Sequence, residues 1–125
     1  MARYRKNAIA TSVYVTEECL RLIEFLSVRE EVTQVVFIRR AIRYFLSGDK
    51  KIDSRIMITK WSDPQYIRRN ALMPIYIDCE QKKELEDVAA EQGGKFSQAF
   101  FQAMISYCAL LITIDDTGIE VVENI

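Results

Sequence analysis

The chain has 125 residues, half of them apolar, and a formal net charge of −1. This length suits one domain, or two very small halves that share one core, and the apolar content argues against disorder. No uninterrupted apolar run reaches about 18 residues, so we expect no membrane span. The basic first residues are not followed by the apolar segment of a signal peptide.

The cysteines and the absence of histidine from the sequence restrict the chemistry. Cys19, Cys79 and Cys108 form no CxxC pair, which favours reduced thiols and a cytoplasmic protein. Without histidine, catalytic triads and His-ligated metal sites are excluded, and the sequence has no glycine-rich phosphate loop. We therefore expect no enzyme, no metal and no other cofactor.

Two stretches of the chain share a pattern at an offset of 62 residues. Residues 8–46 align without a gap to residues 70–108, with low identity but with apolar character kept at matching positions. Each copy is a short alternating run followed by two amphipathic segments. Because a unit of this size cannot close a core alone, we expect the two copies to share one.

The first copy, residues 8–46, predicts one strand and two helices. Residues 9–15 alternate and are rich in β-branched side chains, which is typical of a strand. Thr16 then offers a hydroxyl cap before two acidic residues, so a helix is predicted over about 17–29. Thr33 can cap a second helix over about 34–46.

The connector, residues 47–69, is long for a compact domain, so we expect it to carry structure of its own. Within it, residues 55–59 are compatible with a short strand. The tail, residues 112–125, is predicted to form two short strands around a turn.

The second copy, residues 70–111, repeats the order of the first. A strand is predicted over 73–77, and Asp78 can cap a helix over about 79–92. The pair Gly93-Gly94 indicates a turn. A last helix is predicted over about 97–111.

Strand, helix, short turn and helix in about 40 residues resembles the ribbon-helix-helix superfamily, the group of the methionine repressor, Arc and CopG. In the first copy the matching segments are VYVTEECL at 13–20 and VVFIRRAIRYF at 35–45. In the second they are IYIDCE at 75–80, GGKFS at 93–97 and FFQAMISY at 100–107. Ala41 and Ala103 match the alanine that the family places in its second helix.

The resemblance implies an α+β, mainly helical fold in which a two-stranded antiparallel ribbon lies over four helices. Family members normally dimerise, so two copies in one chain imply a single pseudodimeric domain over residues 1–125 that is monomeric in solution. Such tandem proteins resemble relaxosome accessory proteins of conjugative plasmids, such as the TraY-type proteins, and the VirC-operon DNA-binding protein. The implied function is sequence-specific binding of double-stranded DNA. It would serve transcriptional regulation or a nucleoprotein complex of a mobile element, with another protein of that complex as a possible partner.

In this family the outward side chains of the ribbon face the bases in the major groove. Strand parity assigns outward positions in both copies. Ser12, Tyr14 and Tyr76 can form hydrogen bonds with base edges, or the tyrosines only cover the ribbon. Typical family members place Arg, Lys, Gln, Asn or Thr there, so this face departs from the pattern. The full outward set is Ala10, Ser12, Tyr14, Leu72, Pro74 and Tyr76.

Phosphate contacts are expected at the start of the second helix of each copy, where free amides favour an anion. The expected residues are Thr33 and Gln34 in the first copy and Lys95 and Ser97 in the second, and the alternative is that they only cap the helices. A second expected set is the basic residues before each strand, which could instead be solvated: Arg3, Arg5, Lys6, Arg68 and Arg69. Three further arginines, Arg39, Arg40 and Arg43, are expected on a solvent-facing side of their helix.

The charge is divided unevenly between the halves. Residues 1–62 hold 12 Lys and Arg against 7 Asp and Glu, a net charge of +5, and residues 63–125 hold 5 against 11, a net of −6. The first half is therefore the better candidate for attracting a polyanion. The alternative function is a protein-interaction module that has lost DNA reading and binds a partner through its acidic second half.

Overall fold

The structure is a computed structural model that describes the backbone of residues 8–123 and the side chains of residues 8–114. Its described part is an α+β fold, mainly helical, with four helices and one two-stranded antiparallel sheet. The order strand, helix, helix occurs twice. The elements are β1 (Ala8–Val15), α1 (Glu17–Arg29), α2 (Gln34–Leu46), β2 (Ala71–Asp78), α3 (Cys79–Glu91) and α4 (Phe96–Glu123).

The 62-residue offset recurs in the element boundaries. Cys79 begins α3 62 residues after Glu17 begins α1, and Phe96 begins α4 at the same offset from Gln34. The turns match as well, because Glu31 has φ 59° and its counterpart Gly93 has φ 82°. Glycine adopts this left-handed conformation without strain, whereas glutamate does not.

The register of the sheet places equivalent residues opposite each other at its centre. β1 and β2 pair from Ala8 opposite Asp78 to Val15 opposite Ala71, with Ser12 opposite Pro74 in the middle. Ser12 and Pro74 are also the residues that the 62-residue offset relates. An approximate twofold axis of the ladder therefore passes between them.

One hydrophobic core joins both copies. Five of the inward strand residues are nearly inaccessible, for example Val15 at 0% and Met73 at 1% exposure, and each such side chain contributes roughly 1.5–3 kcal/mol on burial. Ile9 and Thr11 are half-buried. α2 packs mainly against α4. Ala41 and Ala103 are fully buried in these two helices, and their small side chains allow close helix packing.

The connector contains a turn over 54–57, not the strand predicted for residues 55–59. Two of its residues, Ile52 and Ile56, are buried in the core. The backbone amide of Ile52 donates to Gln92 Oε1 at 2.9 Å, and that of Asp53 donates to Gln102 Oε1 at 2.7 Å. The strand prediction is wrong because residues 54–57 form a turn, in which the Ile56 amide donates to the Asp53 carbonyl at 2.9 Å, and because Ile56 fills the shared core.

The prediction of two strands in the tail is also wrong, since α4 continues to Glu123. The isoleucines at 112 and 114 favour a strand by propensity. Extending an existing helix, however, requires no new nucleation, so each added residue gains a hydrogen bond at low cost.

The long helix α4 bears on the expectation of no membrane span. Phe96–Ile114 has a mean hydropathy of 1.4 and is long and apolar enough to cross a membrane by length and composition alone. Ser, Gln and Thr residues interrupt this stretch, so the sequence shows no continuous apolar run there. Phe100, Met104 and Cys108 within it pack into the core, which gives a packing reason for its apolar composition.

Candidate nucleic-acid interface

The outer face of the ribbon carries the six outward residues that strand parity predicts, and all six are exposed. Tyr14 is 53% exposed, Tyr76 45% and Leu72 53%. Tyr14 lies opposite Leu72, Tyr76 lies opposite Ala10, and the Ser12–Pro74 pair separates them. At about 3.3 Å per residue, the two tyrosine positions are roughly 13 Å apart along the ribbon.

Hydrogen-bonding capacity on this face is limited to three hydroxyl groups. The Tyr14 and Tyr76 hydroxyls mark its two ends, and Ser12 lies at the centre. Each hydroxyl can both donate and accept a hydrogen bond. The remaining outward side chains offer only apolar contact, of the kind that a thymine methyl accepts.

The start of α2 lies directly beside the ribbon. Thr33 Oγ1 caps the helix by accepting a hydrogen bond from the Val36 amide at 3.2 Å, and Gln34 is exposed. A cleft of about 310 Å³ lies between this helix start and the ribbon, lined by residues that include Gln34, Ala10 and Tyr76. One end of the ribbon therefore combines a tyrosine of the second copy with a helix start of the first.

The start of α4 is capped differently. The Lys95 amide donates to Gln98 Oε1 at 2.8 Å, and Gln98 Nε2 donates to the carbonyl of Ile56 at 3.2 Å. Lys95 is exposed and Ser97 is half-buried. Gln98 stands outside the predicted residues, although a glutamine at the third helical position is half of a capping box.

The two arginines before β2 lie in different environments. Arg68 is exposed. Arg69 is half-buried: its Nη1 donates to the Ile56 carbonyl at 3.5 Å, and its Cζ lies 5.5 Å from the centre of the Phe101 ring. Burial lowers the pKa of Arg69, which nearby Tyr66 partly offsets. Arg68 is therefore the accessible member of the pair.

The remaining basic candidates are distributed as follows. Arg40 and Arg43 are exposed, as expected. Arg39 is half-buried, and its Nη2 is buried with no hydrogen-bond partner among the described residues. The solvent-facing prediction therefore fits two of these three arginines. The basic residues Arg3, Arg5 and Lys6 lie outside the described residues.

The cysteines form no reactive centre in the described part of the chain. All three are free thiols, and only Cys79 is exposed. Burial, together with the neighbouring Cys108 thiol, raises the pKa of Cys19 to about 12, and burial raises that of Cys108 to about 11. Among the described residues no group of three or more His, Cys, Asp or Glu side chains is placed to hold a metal ion.

Comparison of the chain with protein-family models, with curated proteins and with solved structures returned no match. The features that bear on function are therefore those of the chain itself. They are the outer ribbon face, the two helix starts and the accessible basic residues.

Proposed function

We propose that this chain is a tandem ribbon-helix-helix protein, a single-chain pseudodimer that binds double-stranded DNA sequence-specifically. The outer face of the ribbon enters the major groove, whose width of about 12 Å admits a two-stranded β-ribbon. The observation that carries the proposal is the register. It pairs Ser12 with its repeat counterpart Pro74, and so places Tyr14 and Tyr76 symmetrically on one exposed face.

The helix starts support the same placement of DNA. A helix N-terminus favours phosphate because its first amides lack intrahelical partners and the helix dipole is positive there. Gln34 at the start of α2 lines the same cleft as Tyr76. A base contact from the tyrosine and a phosphate contact from the helix start are thus compatible with one DNA segment.

The copies differ in ways that favour an asymmetric DNA site. A homodimer presents two equal half-sites, whereas here Ser12 faces Pro74 and the halves carry net charges of +5 and −6. In the cell the protein acts in the cytoplasm as a transcriptional regulator or as an accessory factor of a mobile element's nucleoprotein complex. It carries no catalytic function and no cofactor.

The direct test is selection from random duplexes, followed by removal of the ribbon hydroxyls. The variant Tyr14→Phe with Tyr76→Phe keeps both rings and removes two hydrogen bonds, each worth about 0.5–1.5 kcal/mol. We expect affinity for the selected duplex to fall by between about 5- and 160-fold, with affinity for unrelated duplexes unchanged.

The matched control is Tyr44→Phe, which removes the hydroxyl of a tyrosine on α2 whose exposure, 42%, is similar. It should leave both affinities unchanged. Equal specificity of the double variant and the wild-type protein would remove direct reading by the tyrosines. Failure of every duplex to bind at about 50 mM salt would remove the proposal itself, because phosphate contacts are strongest at low salt.

The two arginines before β2 offer a further check. Arg68→Ala should reduce the slope of log affinity against log salt by about 0.9, the value for one phosphate, without changing stability. Arg69→Ala should lower the melting temperature instead, because its guanidinium bonds within the protein. The pseudodimer also predicts a monomer of 14.5 kDa in sedimentation. A dimer whose strands pair between chains would contradict it.

A second candidate is a protein-interaction module on the same fold. Two observations favour it: three of the six outward ribbon residues are apolar, and α1 exposes Phe25 at 62% and Val28 at 77%. Exposed apolar groups that lie together are typical of protein-binding surfaces. This candidate predicts that no duplex is retarded at about 50 mM salt.

A further inference from the structure

Residues 57–68, which we name the connector loop, leave the protein body and return to it at nearly the same place. Ile56, just before the loop, is fully buried. Arg69, just after it, donates to the Ile56 carbonyl at 3.5 Å. Ile67 near its end packs against the core. A surface loop with its ends in contact is an Ω-loop, a type that frequently carries function.

Both ends of the connector loop are fixed near the start of α4 and the Val15–Ala71 end of the ribbon. Met57 lies against Gly94, so closely that an added Cβ on Gly94 would lie 2.6 Å from Met57 Cε. Gln98 joins the Lys95 amide at the start of α4 to the Ile56 carbonyl. After Arg69 the chain enters β2 at Ala71, opposite Val15.

The tip of the connector loop has an unusual composition. Residues 59–62 are all exposed, and Trp61, the only tryptophan of the chain, is 80% exposed. Lys60 and Arg68 are exposed and form no ion pair within the described part of the chain. The only acid of the loop, Asp63, accepts a hydrogen bond from the Gln65 amide at 2.8 Å.

We propose that the connector loop is a third DNA-contacting element, which lays Trp61, Lys60 and Arg68 against the sugar-phosphate backbone beside the Val15–Ala71 end of the ribbon. This inference rests on the proposed function. Charge complementarity identifies the occupant, because the two cations are unpaired and DNA offers phosphates. The indole supplies an apolar face for the sugar and one N–H donor for a phosphate.

The negative charge of the second half explains why a positively charged loop would assist DNA binding there. Outside the loop, residues 70–111 of the second copy hold 3 Lys and Arg against 6 Asp and Glu, a net charge of −3, which repels DNA from this copy. Lys60, Arg68 and the indole N–H together place donors and positive charge beside that copy. The loop thus compensates locally for the acidic half, without a change to the ribbon itself.

The experiment uses the tryptophan fluorescence of the full chain, excited at wavelengths that its six tyrosines do not absorb, because Trp61 is the chain's one tryptophan. The probes are a duplex recovered by selection and two versions of it, each lengthened by about 10 base pairs, one helical turn, on one side only. Labelled DNA reports binding by anisotropy in the same samples. We expect one extension, and not the other, to change the Trp61 emission and to protect it from quenching by acrylamide.

Substitutions complete the test. Trp61→Ala should weaken binding to the sensitive extended duplex by about tenfold, the effect of one hydrogen bond to a charged group, and should not affect the unextended duplex. Lys60→Ala should lower the salt slope for that extended duplex by about 0.9. Phe25→Ala is the matched control, since it truncates an exposed aromatic residue of α1. It should bind all three duplexes like the wild type.

Two results would overturn the inference, and only the second would also overturn the proposed function. If the duplexes bind by anisotropy while Trp61 emission and the Trp61→Ala affinity stay unchanged on both extensions, the loop makes no DNA contact and the ribbon proposal survives. If no duplex binds at all, the proposed function fails and the inference fails with it.

Discussion

Gln98 joins the connector to the start of α4, and its truncation should lower the stability of the whole chain. The residue is only 4% exposed. Its Oε1 accepts from the Lys95 amide at 2.8 Å, and its Nε2 donates to the Ile56 carbonyl at 3.2 Å. Gln98→Ala removes both bonds, and the buried carbonyl keeps only the long contact from Arg69 at 3.5 Å.

The expected loss follows from these two bonds. A lost helix cap costs about 1 kcal/mol, and a buried carbonyl that loses its donor costs about 1–3 kcal/mol. Because Arg69 still reaches this carbonyl, we expect the low end of that range and a total of about 2 kcal/mol. For a domain of this size, about 2 kcal/mol corresponds to a melting temperature roughly 6–10 °C lower.

Urea unfolding followed by far-UV circular dichroism measures this loss, and Trp61 fluorescence follows the connector in the same titration. The control is Gln65→Ala, the same truncation at an exposed position of the connector loop. It should stay within about 0.5 kcal/mol of the wild type. A Gln98→Ala protein with the stability of the control would refute the role of Gln98 as the link between connector and helix.

Two further predictions concern the turns and the thiols. Gly93→Ala should lower the stability by about 1 kcal/mol because of the positive φ of Gly93, although nothing lies within 4 Å of the added Cβ. Glu31→Gly should raise the stability by about 0.5 kcal/mol. Thermal melts of both variants check these opposite signs. Because burial raises the pKa values of Cys19 and Cys108 from 9.0 to about 12 and about 11, the unfolded chain releases their protons first above pH 9. Stability should therefore fall by about 1.4 kcal/mol per thiol and pH unit from pH 9 towards pH 11, a loss that Cys19→Ala with Cys108→Ala should reduce in urea titrations at pH 8, 9 and 10.

The elements within each copy could be predicted from the sequence because local signals and tertiary packing agree there. Thr16 and Thr33 accept hydrogen bonds from helix amides, at 3.0 and 3.2 Å, as their positions before helical segments predict. Strand alternation also gave the correct inward and outward faces. Asp78 occupies the cap position of α3, but its side chain accepts no cap hydrogen bond. Its position was therefore predictable and its bond was not.

The connector and the tail could not be predicted because non-local contacts decide them. Residues 55–59 have strand propensity, yet the burial of Ile56 and the bonds of its carbonyl to Gln98 and Arg69 hold a turn. Arg69 and Arg68 are adjacent and chemically identical, but Arg69 alone reaches the Phe101 ring and the Ile56 carbonyl, which makes it structural and leaves Arg68 accessible. The hydrophobic periodicity of the sequence does not reveal this difference between the two arginines.

The two copies carry different side chains at positions where their backbones correspond. Ser12 and Pro74 occupy the approximate axis of the ladder, a place where a homodimer must present the same residue twice. Glu31 and Gly93 keep the same turn by different means, so the two copies share a backbone while their side chains diverge. α2 is capped by Thr33, the residue before it, whereas α4 is capped by Gln98 from its own first turn. Gln98 also bonds the connector. If the protein binds DNA as proposed, its two half-sites should therefore differ most on the side that Trp61 can reach.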